Sequence, residues 1–154
     1  GGTNEPEIRQ MVYITKDAPV ELRFIELMPI GECAHWPRER FLENSAVLEA
    51  VPELEPCGTS GVARLFSLPN ARGRVGLISP LSSHFCPECN RIRITPDGRL
   101  KPCLHSAQEI ELRGFHGAEL DAKLREGICA KPMRHHLSPA SPSESLRGMS
   151  RIGG

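Results

Sequence analysis

Three of the chain's six cysteines lie close together in sequence. Cys86 and Cys89 form a CxxC pair, and Cys103 follows 14 positions after Cys89. Thiolates at such spacing suit zinc or an iron–sulfur centre. Three thiols without an evident fourth fit two cases. One is a zinc site completed by a histidine, with His84 and His105 the nearest candidates. The other is a 4Fe–4S cluster with one iron left open, a Lewis-acidic position for a substrate nitrogen or oxygen. A catalytic thiol–disulfide pair would leave Cys103 unexplained. Cys33, Cys57 and Cys129 belong to no motif and read as buried or incidental thiols. Beside the thiols, Arg91 and Arg93 stand two apart, as do Arg99 and Lys101. On strands, residues two apart share a face. The cations therefore read either as a polyphosphate clamp or as the exposed basic face of a hairpin.

The elements that must position these groups follow from the pattern. Asn90–Thr95 alternates, Pro96-Asp97-Gly98 is a turn, and Arg99–Lys101 returns. That hairpin brings Cys103 back beside Cys89. Val20–Met28 reads as a largely buried strand stopped by Pro29 and Gly31, as in parallel sheets and barrels. A helix is expected over 38–50, begun by Pro37 and ended before Pro52. Residues 52–60 read as a connector. Val62–Leu68 and Arg74–Ile78 read as short strands on either side of a turn. Leu120, Leu124 and Ile128 form a helical stripe in Gly117–Cys129, and Ser138–Gly148 reads as loop. The segment Pro6–Lys16 reads as the end of a helix and a short strand.

The bulk numbers narrow the class. With Lys+Arg 19 and Asp+Glu 19, the net charge gives no general pull toward nucleic acid or an anionic membrane. No apolar run is long enough to span a bilayer, and the polar N-terminus is not a secretory signal. Cysteines used as metal ligands suit a cytoplasmic location. The chain lacks an initiator Met, as a fragment or processed chain would.

The stretch Phe85–Leu104 resembles the C-terminal cluster motif of the MoaA-type GTP 3′,8-cyclases, radical-SAM lyases of molybdenum-cofactor synthesis. Val20–Gly31 resembles the late barrel strand of that family. Ala130-Lys131-Pro132 with His135 and His136 resembles the stretch before its tail, and Met149–Gly154 its Gly-Gly end. The resemblance implies an α/β fold: the C-terminal end of an incomplete radical-SAM (β/α) barrel over 1–58, then a small α+β iron–sulfur cluster domain over 59–154. It implies that Cys86, Cys89 and Cys103 hold a 4Fe–4S cluster whose open iron meets GTP. Arg91, Arg93 and Arg23 would bind GTP, and Met28 would lie near S-adenosylmethionine. Arg23 also reads as a structural ion-pair partner of Glu21 or Glu26, and Met28 as core. Gly153 and Gly154 would reach into the catalytic pocket. Cyclic pyranopterin monophosphate synthase would take the product, and a homodimer is compatible with the family.

One element of the family is missing. The 154 residues contain no CxxxCxxC, the motif that binds the second cluster for reductive cleavage of S-adenosylmethionine. The resemblance therefore implies that this chain alone does not start radical chemistry. The reading that stands against it is a zinc-bound structural or interaction module without catalysis.

Overall fold

The computed structural model describes residues 2–152, which pack as two units. Of the described residues, the first comprises 2–27 and 37–85, the second 28–36 and 86–152. The dividing line expected near residue 58 falls inside a strand.

In the first unit, helix α1 (Ile8–Asp17) buries Ile8, Val12 and Thr15, one face at helical spacing. Strand β1 (Glu21–Ile25) pairs in parallel with β4 (Arg74–Ile78). Strands β2 (Glu55–Ser60) and β3 (Ala63–Ser67) complete a four-stranded sheet in the order β1-β4-β3-β2. Val75 and Leu77 on central β4 are almost fully buried against Val12, Val47, Val51 and Phe66. Each such side chain contributes about 1.5–3 kcal/mol by leaving water.

Four expectations need correction here. The short strand expected within Pro6–Lys16 does not form, since Ile8–Asp17 is helix throughout. Strand β1 is not largely buried: Glu21, Arg23 and Ile25 are exposed, because β1 lies at the sheet's edge. The supposed connector at 52–60 contains β2, whose Pro56 and Gly58 mark a register shift. Pro and bulges are tolerated at an edge, where missing donors break no internal ladder. The helix expected over 38–50 is shorter. It splits into a 3-10 turn (Arg38–Arg40) and helix α2 (Ser45–Ala50). Asn44 stands between them and is buried. Its side chain donates to the Ile78 carbonyl (2.8 Å) and to Ser79 Oγ (2.9 Å). Those bonds to β4 and its exit outweigh local helix propensity.

Glu26, 2% exposed, follows β1 directly. Its carboxylate accepts from the backbone N–H groups of Asn44 (3.2 Å), Leu81 (2.9 Å) and Ser82 (3.0 Å), and from the Ser82 hydroxyl. Burial alone would raise its pKa. The bonds from Ser82, Leu81 and Asn44 together outweigh burial and hold it below the usual range.

In the second unit, strands β5 (Arg93–Ile94), β6 (Arg99–Lys101) and β7 (Ile110–Glu111) form an antiparallel sheet. The Pro-Asp-Gly turn forms as expected. Gly98 adopts φ +78°, its N–H donates to the Thr95 carbonyl (2.9 Å), and Thr95 N–H donates to Arg99 (2.8 Å). Helix α3 (Gly117–Cys129) also forms, but the leucine stripe is not its buried face. Ile128 is 54% exposed, and the buried residue is Gly127. A Cβ at 127 would stand 2.0 Å from Leu100 Cδ2 on β6. The helix sits against the hairpin through a missing side chain rather than a projecting one.

Gly127→Ala should therefore destabilise the second unit despite alanine's helix preference of about 1 kcal/mol. Overpacking against fully buried Leu100 costs about 1–3 kcal/mol. Denaturant unfolding of the variant is expected to show a net loss; a gain would show that Leu100 moves aside freely.

Candidate metal centre

The CxxC opens on a 3-10 turn (Cys86–Glu88), with Cys89 N–H donating to the Cys86 carbonyl (3.1 Å). Cys86, Cys89 and Cys103 are all half-buried and free of disulfides. A ring nitrogen of His135 lies within 4.8 Å of the Cys86 sulfur. Cys103 lines a cavity of about 280 Å³ together with His105, Arg134, His135, His136 and Glu144. That volume is near the lower end for small-molecule sites, roughly 300–1,000 Å³. The second unit thus draws together Cys103, His105 and His135, with Cys86 beside His135. His84 is grouped by packing with the first unit.

His105 and His135 meet edge to face, with ring centroids 4.6 Å apart. Burial pushes His105 down to about 4, and the neighbouring His135, Arg93 and Lys101 push in the same direction. Its imidazole is neutral at pH 7. Its buried Nδ1 has no hydrogen-bond partner among the described residues. An orphaned polar atom at this depth points to a group that completes it. Three partly buried thiols with the neutral His105 imidazole nearby are a soft donor set, one that fits iron–sulfur or zinc and not a hard cation.

The basic residues do not behave alike. Strand β5 begins only at Arg93, so Arg91 stands outside the strand and is exposed. Arg93 is half-buried and paired in register with Lys101. The expected basic face on the return strand does not exist. Arg99 faces Asp97 (3.6 Å) and Glu111 (3.4 Å). Lys101 is wholly buried; it donates to the Ser106 carbonyl (2.6 Å) and pairs with Glu109 (3.5 Å). A lysine at that depth needs such partners to keep its charge.

Arg23, on β1, pairs with Glu21 and donates to Ser60 Oγ (3.2 Å). Of its two expected ion-pair partners, Glu21 is the actual one, and Glu26 is taken by backbone N–H groups. Met28 is half-buried in the segment grouped with the second unit. Gly153 and Gly154 lie outside the described residues. Cys57 and Cys129 are exposed rather than buried, and Cys33 is half-buried.

Sequence reasoning missed Arg147. Its guanidinium takes Glu109 in bidentate fashion (Nε–Oε1 2.6 Å, Nη2–Oε2 2.7 Å) and also bonds Asp97 Oδ2 (2.7 Å). It ties the segment before the C-terminus to the hairpin turn and to the loop after Cys103. It sits in a Ser/Pro-rich stretch without periodicity, and no local signal marks it. Among the described residues no helix is long and apolar enough to cross a membrane.

Comparison with known proteins follows the same stretch. A family model described as Molybdenum Cofactor Synthesis C matches residues 20–137. A protein of Alkaliphilus oremlandii (strain OhILAs) named GTP 3',8-cyclase is 46% identical over 159 residues, covering 100% of this chain and 50% of that protein. One of the same name from Alkaliphilus metalliredigens (strain QYMF) is 49% identical with the same coverage. Another, from Pelotomaculum thermopropionicum, is 39% identical over 99% of this chain and 50% of its own length. The chain spans about half the length of the curated relatives it matches.

The Arg147 clamp carries a pH dependence. Arg147 holds Asp97 well below the usual carboxylate range and lowers Glu109 as well. Depressed folded pKa values mean that the unfolded chain binds more protons. The stabilisation is therefore present above the ordinary carboxylate pKa of about 4 and is lost as pH falls below it. The melting temperature of Arg147→Ala should lie below that of the unsubstituted chain at neutral pH, and the gap should shrink below about pH 4. A gap independent of pH would place Arg147's contribution elsewhere.

Proposed function

The chain belongs to the Molybdenum Cofactor Synthesis C family, and on that premise we propose that it is the GTP-binding, cluster-holding portion of a GTP 3′,8-cyclase. In that reading Cys86, Cys89 and Cys103 hold a 4Fe–4S cluster. When bound, the cluster supplies an open, Lewis-acidic iron for the purine edge of GTP. Arg91 and Arg93 hold the triphosphate, with Arg23 a third cation. Met28 lies by S-adenosylmethionine, and Gly153 and Gly154 belong to the catalytic pocket. The last units of the radical-SAM barrel would lie in the first unit, residues 2–27 and 37–85, and the cluster domain in the second, in place of a division at residue 58. The product, 3′,8-cyclo-7,8-dihydro-GTP, passes to cyclic pyranopterin monophosphate synthase in the cytoplasm. Reductive cleavage of S-adenosylmethionine needs a CxxxCxxC, so that step lies outside this chain's own residues.

The observation that carries the reading is identity of 46% and 49% along the whole chain with proteins named for this activity. The geometry supports it. Cys103 lines a cavity with neutral His105, and cationic Arg93 acts on that imidazole. Arg91 is exposed and able to reach an anion. The acids Asp97, Glu109 and Glu111 are engaged with Arg99, Lys101 and Arg147, and so do not compete for a phosphate's partners.

A second reading, a zinc module, draws on one specific fact: His105 offers an unpartnered buried Nδ1 two residues after Cys103. Metal analysis of anaerobically prepared chain separates the two. The cluster reading expects iron and sulfide near about four each per chain, and the zinc reading about one zinc. His105→Ala should leave iron content intact on the first reading and remove zinc on the second. On the first reading Arg91→Ala should keep its iron and lose about 10–100-fold in GTP affinity, the usual weight of a charge-assisted hydrogen bond. Zinc in place of iron, or undiminished GTP binding, would defeat the proposal.

A further inference from the structure

Lys131, two residues beyond helix α3, takes no part in either reading, yet its side chain is directed at the cysteine motif. An ammonium has three N–H donors. Here Nζ donates to the Arg91 carbonyl (2.8 Å), to the Pro102 carbonyl (3.3 Å) and to Cys89 Sγ (3.6 Å). Arg91 lies two residues after Cys89, and Pro102 immediately precedes Cys103. The ladder between the two arms ends at the pair Arg93–Lys101. Beyond that pair, one ammonium joins the segment leaving the CxxC to the segment arriving at the third cysteine. The same cation touches one sulfur, where it favours negative charge.

We propose that Lys131 is the positioning residue of the metal centre. It closes the gap between the CxxC and Cys103 through two carbonyls, and it sets the charge environment of the Cys89 sulfur. The proposal rests on the reading that Cys86, Cys89 and Cys103 hold the metal. Its seat is built by the fold: Gly127 lets α3 close on Leu100, and the Lys131 N–H continues the helix end by donating to the Ile128 carbonyl (3.3 Å).

The test titrates the metal-free chain with Cd²⁺ under nitrogen and follows thiolate-to-cadmium absorption. Lys131→Met should bind cadmium 10–100-fold more weakly, roughly the effect of removing an outer-shell partner of a metal ligand. Lys131→Arg should recover part of the loss, since charge and donors remain. Lys123→Met, on α3 and paired with Glu126, should change affinity less than about twofold. In the iron-loaded chain, Lys131→Gln should shift the cluster to lower reduction potential, because hydrogen bonds and charge at the sulfurs set it. A merely structural strut would lower the melting temperature without moving that potential. If Lys131→Met does not fold, Lys131→Gln carries the cadmium comparison as well. Cadmium affinity and potential both unchanged in the variants would overturn the role of Lys131 alone. Absence of a thiolate band in the unsubstituted chain would overturn the cysteine reading and this inference together.

Discussion

Helix α3 rests on strand β6 through a position that has no side chain. With Gly127 against Leu100, the helix axis comes closer to the hairpin than any larger residue would permit. The hairpin needs that support: β5 and β7 have two residues each and β6 three. Ladders of this length do not persist by themselves in water. Leu100 is followed at once by Lys101, Pro102 and Cys103, and α3 by Ala130, Lys131 and Pro132. One close approach therefore fixes the third cysteine, the lysine beside the CxxC and one wall of the cavity.

A second tie works by charge. Asp97 at the turn, Glu109 after the cysteine loop and Lys101 inside the sheet converge with Arg147. Buried lysine is costly unless satisfied, and here Glu109 and the Ser106 carbonyl satisfy it. The net result is local: Asp97, Glu109 and Glu111 are each paired with a neighbouring cation. Arg91 is exposed and belongs to none of these pairs.

How much of this could be read from residues alone varied with the range of the interaction. The hairpin was legible because Pro96-Asp97-Gly98 encodes its own backbone turn. Strands β3 and β4 were legible because a turn at 69–73 separates two short runs, and helix α3 because Leu120, Leu124 and Ile128 recur at helical spacing, although that stripe is not its buried face. Strand β2 was not, since Pro56 and Gly58 look like linker residues unless one knows that the strand lies at an edge. The break before α2 was not, because it is made by Asn44 bonding residues 34 and 35 positions away. At the candidate site the cysteines and Arg91 and Arg93 stood out by spacing. Arg99 and Lys101, read as part of either a polyphosphate clamp or an exposed basic face, are instead paired with Asp97, Glu109 and Glu111, partners set by folding. Arg147 left no local mark, and Lys131 stood out only within the stretch Ala130-Lys131-Pro132, its contacts unread because they lie tens of positions distant.

The two exposed cysteines have a consequence for handling. Cys57 lies on β2 of the first unit and Cys129 at the end of α3 in the second. Each molecule thus offers two oxidisable points on its surface. A monomer with one such point stops at a dimer, whereas a monomer with two can keep adding copies in air, as in step-growth polymerisation. Loss of soluble material under oxygen would then not by itself report on the motif at 86–103. Replacing both surface thiols with serine would remove these two points and leave only the half-buried thiols.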